Sequence, residues 1–171
     1  VIIFVREDIL CRELKSHQSP GNFEGIFLEI NLRKVKWLLF GGYNPHKQTI
    51  QNFLNELGPI LDFYMHKYEN FLLLGDFNSE MNENAMVEFC DVYNLSNLIN
   101  EPTCFKNPLN PSSIDVILTN RPKCFQNSTT IETGLSDHHK LTITAMKSFY
   151  PKQPPTVKSY RNYKNFNLFL S

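Results

Sequence analysis

Phe71-Leu72-Leu73-Leu74-Gly75-Asp76-Phe77-Asn78 is the stretch that decides the fold. Four apolar residues run together, then a glycine, then an acid and an amide separated by one aromatic. A short continuous apolar run bounded by turn residues predicts a strand from Asn70 to Gly75 that is covered on both faces. In an extended chain, positions i and i+2 share a face, so Asp76 and Asn78 would point the same way at the strand's end.

The segments on either side alternate between strand and helix periods. Thr49 to Tyr68 places Ile50, Phe53, Leu54, Leu57, Leu61, Tyr64 and Met65 at three- and four-residue steps. This predicts an amphipathic helix, with Gly58-Pro59 a potential bend. Before it, Val35 to Tyr43 reads as a buried strand, and Phe23 to Leu32 alternates with period two. The chain opens on an apolar stretch, Val1 to Val5, that reads as a further strand. Starting on Val inside an element, it reads as a fragment. Arg6 to Gly21 reads as a polar connection ending in the turn Ser19-Pro20-Gly21. Downstream, Glu83 to Asn94 predicts a second helix with Met86, Val87, Cys90 and Tyr93 on its apolar face. Ile114 to Leu118 and Leu141 to Met146 predict two strands. Such alternation points to the α/β class, a sandwich of sheet and helices.

Length and composition set the bounds. The 171 residues fit one domain, and 42% hydrophobic with 13% aromatic residues argues against disorder. No apolar run approaches the roughly 18 residues of a membrane span, and no secretory leader is legible. The charges balance at 17 basic and 17 acidic, but unevenly. From Met146 to Ser171 there are five basic residues and no acidic one; the first 145 residues carry −5. An acidic body with a basic tail is compatible with a metal site among carboxylates. Cys11, Cys90, Cys104 and Cys124 form no C-x-x-C pair, which argues against zinc ribbons and redox motifs and suits a reducing, intracellular compartment. The prolines at Pro151, Pro154 and Pro155 mark a linker. The predicted organisation is a domain over residues 1–149 and a basic linker over 150–171.

Four polar clusters sit at the ends of apolar strands: Gly42-Tyr43-Asn44-Pro45, Gly75-Asp76-Phe77-Asn78, Ser113-Ile114-Asp115 and Ser136-Asp137-His138-His139. Strand ends are the usual address of sites in open α/β folds. Asp76 can orient or deprotonate a water and Asn78 can hold it or a phosphate oxygen; equally, the pair can simply end the strand and cap a turn. Asp115 lies in the otherwise apolar run Ile114-Asp115-Val116-Ile117-Leu118, where a carboxylate needs a partner, and a histidine is the natural one. Asp137-His138-His139 supplies a carboxylate and two imidazoles ahead of a strand. Adjacent residues face opposite ways, so His139 points away from the job His138 does. A zinc reading lacks the helical i, i+4 spacing.

Taken in order, Y-N-P, G-D-F-N, S-x-I-D-x-I-L-T-N and G-L-S-D-H-H resemble the exonuclease–endonuclease–phosphatase superfamily. The likeness is to the apurinic-type endonuclease domain of non-LTR (LINE-like) retrotransposon polyproteins. The tail Tyr160-Arg161-Asn162-Tyr163-Lys164-Asn165-Phe166 resembles the linker that leads to a reverse transcriptase domain. The resemblance implies a four-layer α/β sandwich of two mixed sheets flanked by helices. It implies Mg²⁺-dependent hydrolysis (Mn²⁺ being an alternative ion) of a DNA phosphodiester, the nick that primes reverse transcription. On this chain it implies that Asp76 activates water, Asn78 helps place it, and Tyr43 lies by the scissile phosphate. Asp115 would pair with the catalytic His138, and Asp137 would stand at the metal.

Two departures qualify it. The family's upstream Asn and its Glu metal ligand have no match, which implies N-terminal strands missing and an incomplete catalytic site. His46 stands three places after Tyr43, where the family often carries Asn. Further implied are DNA as partner, no membrane, a reverse transcriptase domain in the parent polyprotein, a monomer and a nuclear setting. The alternatives are a phosphatase or phosphodiesterase of the same superfamily, and an inactive, decayed domain.

Overall fold

The computed structural model describes residues 1–19, 23–134 and 140–147, without the side chains of residues 15–19 and 23. In chain order the elements are β1 (Cys11–Ser19), β2 (Phe23–Leu32), β3 (Val35–Tyr43), α1 (Ile50–Met65), β4 (Phe71–Asp76), α2 (Asn84–Val92), β5 (Ser96–Asn97), β6 (Asp115–Thr119), β7 (Phe125–Ile131) and β8 (Leu141–Met146). Six strands form one mixed sheet in the order β1-β2-β3-β4-β6-β5, and β7 with β8 forms a second, antiparallel pair. Only β3 and β4 run parallel, because α1 carries the chain back between them.

The parity of the strand residues builds two cores. Leu38 and Phe40 of β3, Leu73 of β4, and Val116 and Leu118 of β6 face the helices and pack with Phe53, Leu57, Leu61 and Met86. Trp37 and Leu39, Leu72, and Ile117 face the other way and pack with Phe125, Ile99 and Met146 of the second sheet and its approach. Because both faces of β4 are covered, its run is apolar without alternation. The described residues thus make three layers: helices, large sheet, small sheet. The α/β architecture with two sheets is the one expected from sequence.

α1 starts where Thr49 Oγ1 accepts from the Asn52 N–H at 3.3 Å, satisfying one of the helix's free donors. Pro59 stands inside the helix, which nonetheless runs as one element through Met65.

Several local expectations are corrected. Val1 to Val5 is not a strand; Ile3 and Val5 pack against the inter-sheet core without joining a sheet. The polar stretch Arg6 to Gly21 is more than a connection: it holds β1, which pairs along its length with β2 as a sheet edge. An exposed edge has no apolar pattern to announce it. β7 was also unforeseen, because Gln126, Asn127 and Ser128 interrupt its pattern and Asn127 sits at φ 53° in an irregular register. On α2 the buried face is Met86, Phe89 and Cys90, while Val87 is 44% exposed. The expected linker at 150–171 lies outside the described residues.

Candidate active site

Tyr43, Asp76 and Asp115 lie side by side. Tyr43 is the register partner of Asp76 across the parallel β3–β4 pair, and Asp76 is that of Asp115 across the antiparallel β4–β6 pair. Counting in steps of two from Leu39, Leu72 and Ile117 puts all three side chains on the face that looks toward the second sheet. A one-residue slip would turn each side chain to the opposite face, and the buried apolar faces of β3, β4 and β6 forbid it. All three are half-buried. Asp115 Oδ2 is buried and accepts no hydrogen bond from any of the described residues.

Gly75 lets the two central strands meet here. A Cβ on Gly75 would lie 1.9 Å from Gly42 O, and its φ of 152° is one that residues with side chains rarely adopt. Gly42 and Gly75 are themselves register partners, one step before Tyr43 and Asp76.

After Asp76 the chain leaves the ladder in a tight turn. Asp76 Oδ1 accepts from the Asn78 N–H at 2.9 Å, and Asn78 sits in the left-handed region at φ 49°. Phe77, fully buried, packs edge-on to Phe53 of α1 at 5.0 Å between centroids. The Phe77 N–H donates to Ile114 O at 2.9 Å. The local turn expected of an acid and amide around an aromatic is therefore present, in addition to any chemical role. The left-handed Asn78 breaks the simple i, i+2 geometry read from an extended chain.

Three contributors carried no legible signal. Thr103 is fully buried, and its Oγ1 accepts from the N–H groups of both Ile114 and Asp115 at 3.2 Å. Its carbonyl accepts from the Lys140 N–H at 2.8 Å. Thr103 therefore ties the strand bearing Asp115 to the residue that follows the Asp137-His138-His139 triplet. Glu80 Oε1 accepts from the Ser113 N–H at 3.0 Å, joining the turn after β4 to the approach of β6. Glu101 Oε2 accepts from Thr130 N–H and the hydroxyls of Thr129 and Thr130, at 2.8–2.9 Å. These bonds, the Thr130 N–H foremost, hold the Glu101 carboxyl below its ordinary pKa. Such anchors join residues remote in sequence, and no spacing rule finds them.

Asp137, His138 and His139 lie outside the described residues. His46 is exposed beside Pro45. Among the described residues no three His, Cys, Asp or Glu side chains cluster closely enough to hold a metal. What the site face offers is hard oxygen: two carboxylates on neighbouring strands, one with an unsatisfied buried oxygen. That donor set fits Mg²⁺, which takes one or two carboxylates and fills its other positions with water and phosphate.

The family described as endonuclease-reverse transcriptase matches residues 37–142, from β3 to the start of β8. The chain belongs to that family. As a member of the endonuclease-reverse transcriptase family it carries all four motif clusters inside or beside the matched span. Its fold is shared with solved exonuclease–endonuclease–phosphatase proteins. The endonuclease domain of TRAS1, a telomere-specific non-LTR retrotransposon, superposes with a TM-score of 0.65 at 15% identity, over 85% of this chain and 72% of that one. A family protein from Leptotrichia buccalis gives 0.56 at 14%, over 84% and 73%. The human Nocturnin catalytic domain gives 0.53 at 14%, over 80% and 60%. No curated protein matches the sequence. At these identities the superpositions establish the fold.

Proposed function

We propose that this endonuclease-reverse transcriptase family chain hydrolyses a DNA phosphodiester with Mg²⁺, making the nick that primes reverse transcription. One observation carries the reading: Thr103 bonds both to the backbone of Asp115 and to Lys140, two residues beyond His138. Lys140 is thus tied, through Thr103, to the strand that bears Asp115.

In this account Asp76 orients and deprotonates the attacking water, and Asn78 holds it by its side-chain amide. The Tyr43 phenol donates to a phosphate oxygen from the neighbouring strand. The free Asp115 Oδ2 accepts an N–H of His138, fixing its tautomer so that the other ring nitrogen meets the phosphate. Asp137 would hold Mg²⁺, which would supply positive charge to offset that of the scissile phosphate. Placing and neutralising charge is most of what phosphoryl transfer asks of a protein. With the family's Glu ligand unmatched in this chain, Mg²⁺ binding is weak, and activity climbs with Mg²⁺ rather than saturating early. The basic residues after Met146 favour a polyanionic substrate over a small phosphate ester. The protein acts as a monomer on nuclear DNA, joined in its polyprotein to a reverse transcriptase. Conversion of supercoiled plasmid to the open circle, with Mg²⁺ against EDTA and with His138→Ala, tests the proposal. Turnover of a phosphoinositide but not of DNA would reverse it.

A further inference from the structure

We infer that Asn44 is the positioning residue that sets Asp76 and Asn78 for catalysis. The inference rests on the reading that those two residues handle the attacking water. Asn44 makes a hydrogen bond to each of three consecutive residues. Its N–H donates to Asp76 O at 2.9 Å. Its Nδ2 donates to Phe77 O at 2.9 Å. Its carbonyl accepts from Asn78 Nδ2 at 2.6 Å. Strand pairing of β4 ends at Asp76, so beyond that point these contacts replace the ladder.

The parity of β3 explains the placement. Tyr43 faces the second sheet; Asn44, one residue on, faces the helices with Leu38 and Phe40 and is 1% exposed. Tyr43 therefore presents its side chain to the site while Asn44 grips the turn from behind. The grip has a chemical effect. One N–H of the Asn78 amide is committed to Asn44 O, which fixes the plane of that amide and the direction of its Oδ1. Asn44 Oδ1 is buried and accepts no hydrogen bond from any of the described residues, so among them the side chain is only half-satisfied. A half-satisfied amide is a poor way to fill a core. It is a direct way to hold the Phe77 carbonyl, and with it the left-handed Asn78.

Asn44→Asp is the discriminating variant. A buried carboxylate cannot donate to Phe77 O; once protonated, the acid is an isostere of the amide and can. Burial raises the pKa of such an acid. The ratio of variant to wild-type kcat for plasmid nicking should be low at alkaline pH, by on the order of 10²-fold. It should climb toward one as pH falls, with KM little changed. Asn44→Ala should be slow at every pH. Rates are compared below the onset of unfolding of each variant, followed by circular dichroism. A readout independent of nicking is the ¹⁵N-resolved side-chain amide of Asn78, which should shift in Asn44→Ala as the freed Phe77 carbonyl lets the turn move against its acceptor, the retained backbone O of residue 44. Wild-type kcat in Asn44→Ala, a pH-independent ratio in Asn44→Asp, or an unmoved Asn78 amide would overturn the inference. A wild-type chain that nicks no DNA would instead sink the endonuclease reading, and the Asn78 amide would still report whether Asn44 holds the turn.

Discussion

Asp76 and Asp115 are register partners on adjacent antiparallel strands, and both carboxylates face the second sheet. Directly opposed like charges destabilise a strand pair by some tenths of a kcal/mol or more. Neutralising either should therefore leave stability unchanged or raise it. Asp76→Asn and Asp115→Asn are each expected to lower nicking at least about a hundredfold, with urea midpoints equal to or above wild type. A variant that unfolds at lower urea would mean the carboxylate serves the fold rather than the reaction.

Gly75→Ala tests the close approach that aligns Tyr43 with Asp76. The added Cβ would sit 1.9 Å from Gly42 O, so β3 and β4 must part. The expected cost is at least about 2 kcal/mol from strain and overpacking, read from urea unfolding. Nicking should fall further than the fraction of folded protein explains.

Thr103→Val removes the acceptor for two part-buried backbone N–H groups while keeping the shape. Leaving them unsatisfied should cost about 2 kcal/mol or more. Thr103→Ser keeps the oxygen and should stay within about 1 kcal/mol of wild type. Equal losses in the two variants would mean the methyl, not the hydroxyl, is what matters.

Acid should loosen the small sheet first. The Glu101 carboxyl titrates below its ordinary value because Thr129 and Thr130 bond its charged form. A group depressed in the folded state stabilises above its unfolded pKa, near 4.5, and that contribution is lost as pH falls through the folded value. The protection factors of the β7 and β8 amides, with intrinsic exchange at each pH divided out, should therefore fall below about pH 4.5 before those of β3 and β4. Glu101→Gln should show less of this acid dependence.

The central sheet was legible because its signals are local. β2, β3, β4, α1 and β6 each carry a period or a run within one window, and Asp76 and Asp115 stand at the ends of such runs. β1 escaped because an exposed edge strand needs no apolar alternation, and β7 because polar residues break its pattern at a bulge. Thr103 and Glu101 escaped for a different reason: each works through backbone N–H groups 11 to 29 positions away, which composition does not encode. Asn44 stood within a quoted motif, but its role depends on which face of β3 it takes. The positions of Asp137 and His138 lie outside the described residues and remain the sequence's contribution alone.

The most direct test is the nicking of supercoiled plasmid by the full chain over a Mg²⁺ series, against EDTA, with His138→Ala beside it. Open-circle product is expected that requires Mg²⁺, rises through the series without early saturation, and disappears in His138→Ala. Well-folded wild-type protein that leaves the plasmid supercoiled at every Mg²⁺ concentration, or nicking that persists in His138→Ala, would contradict it.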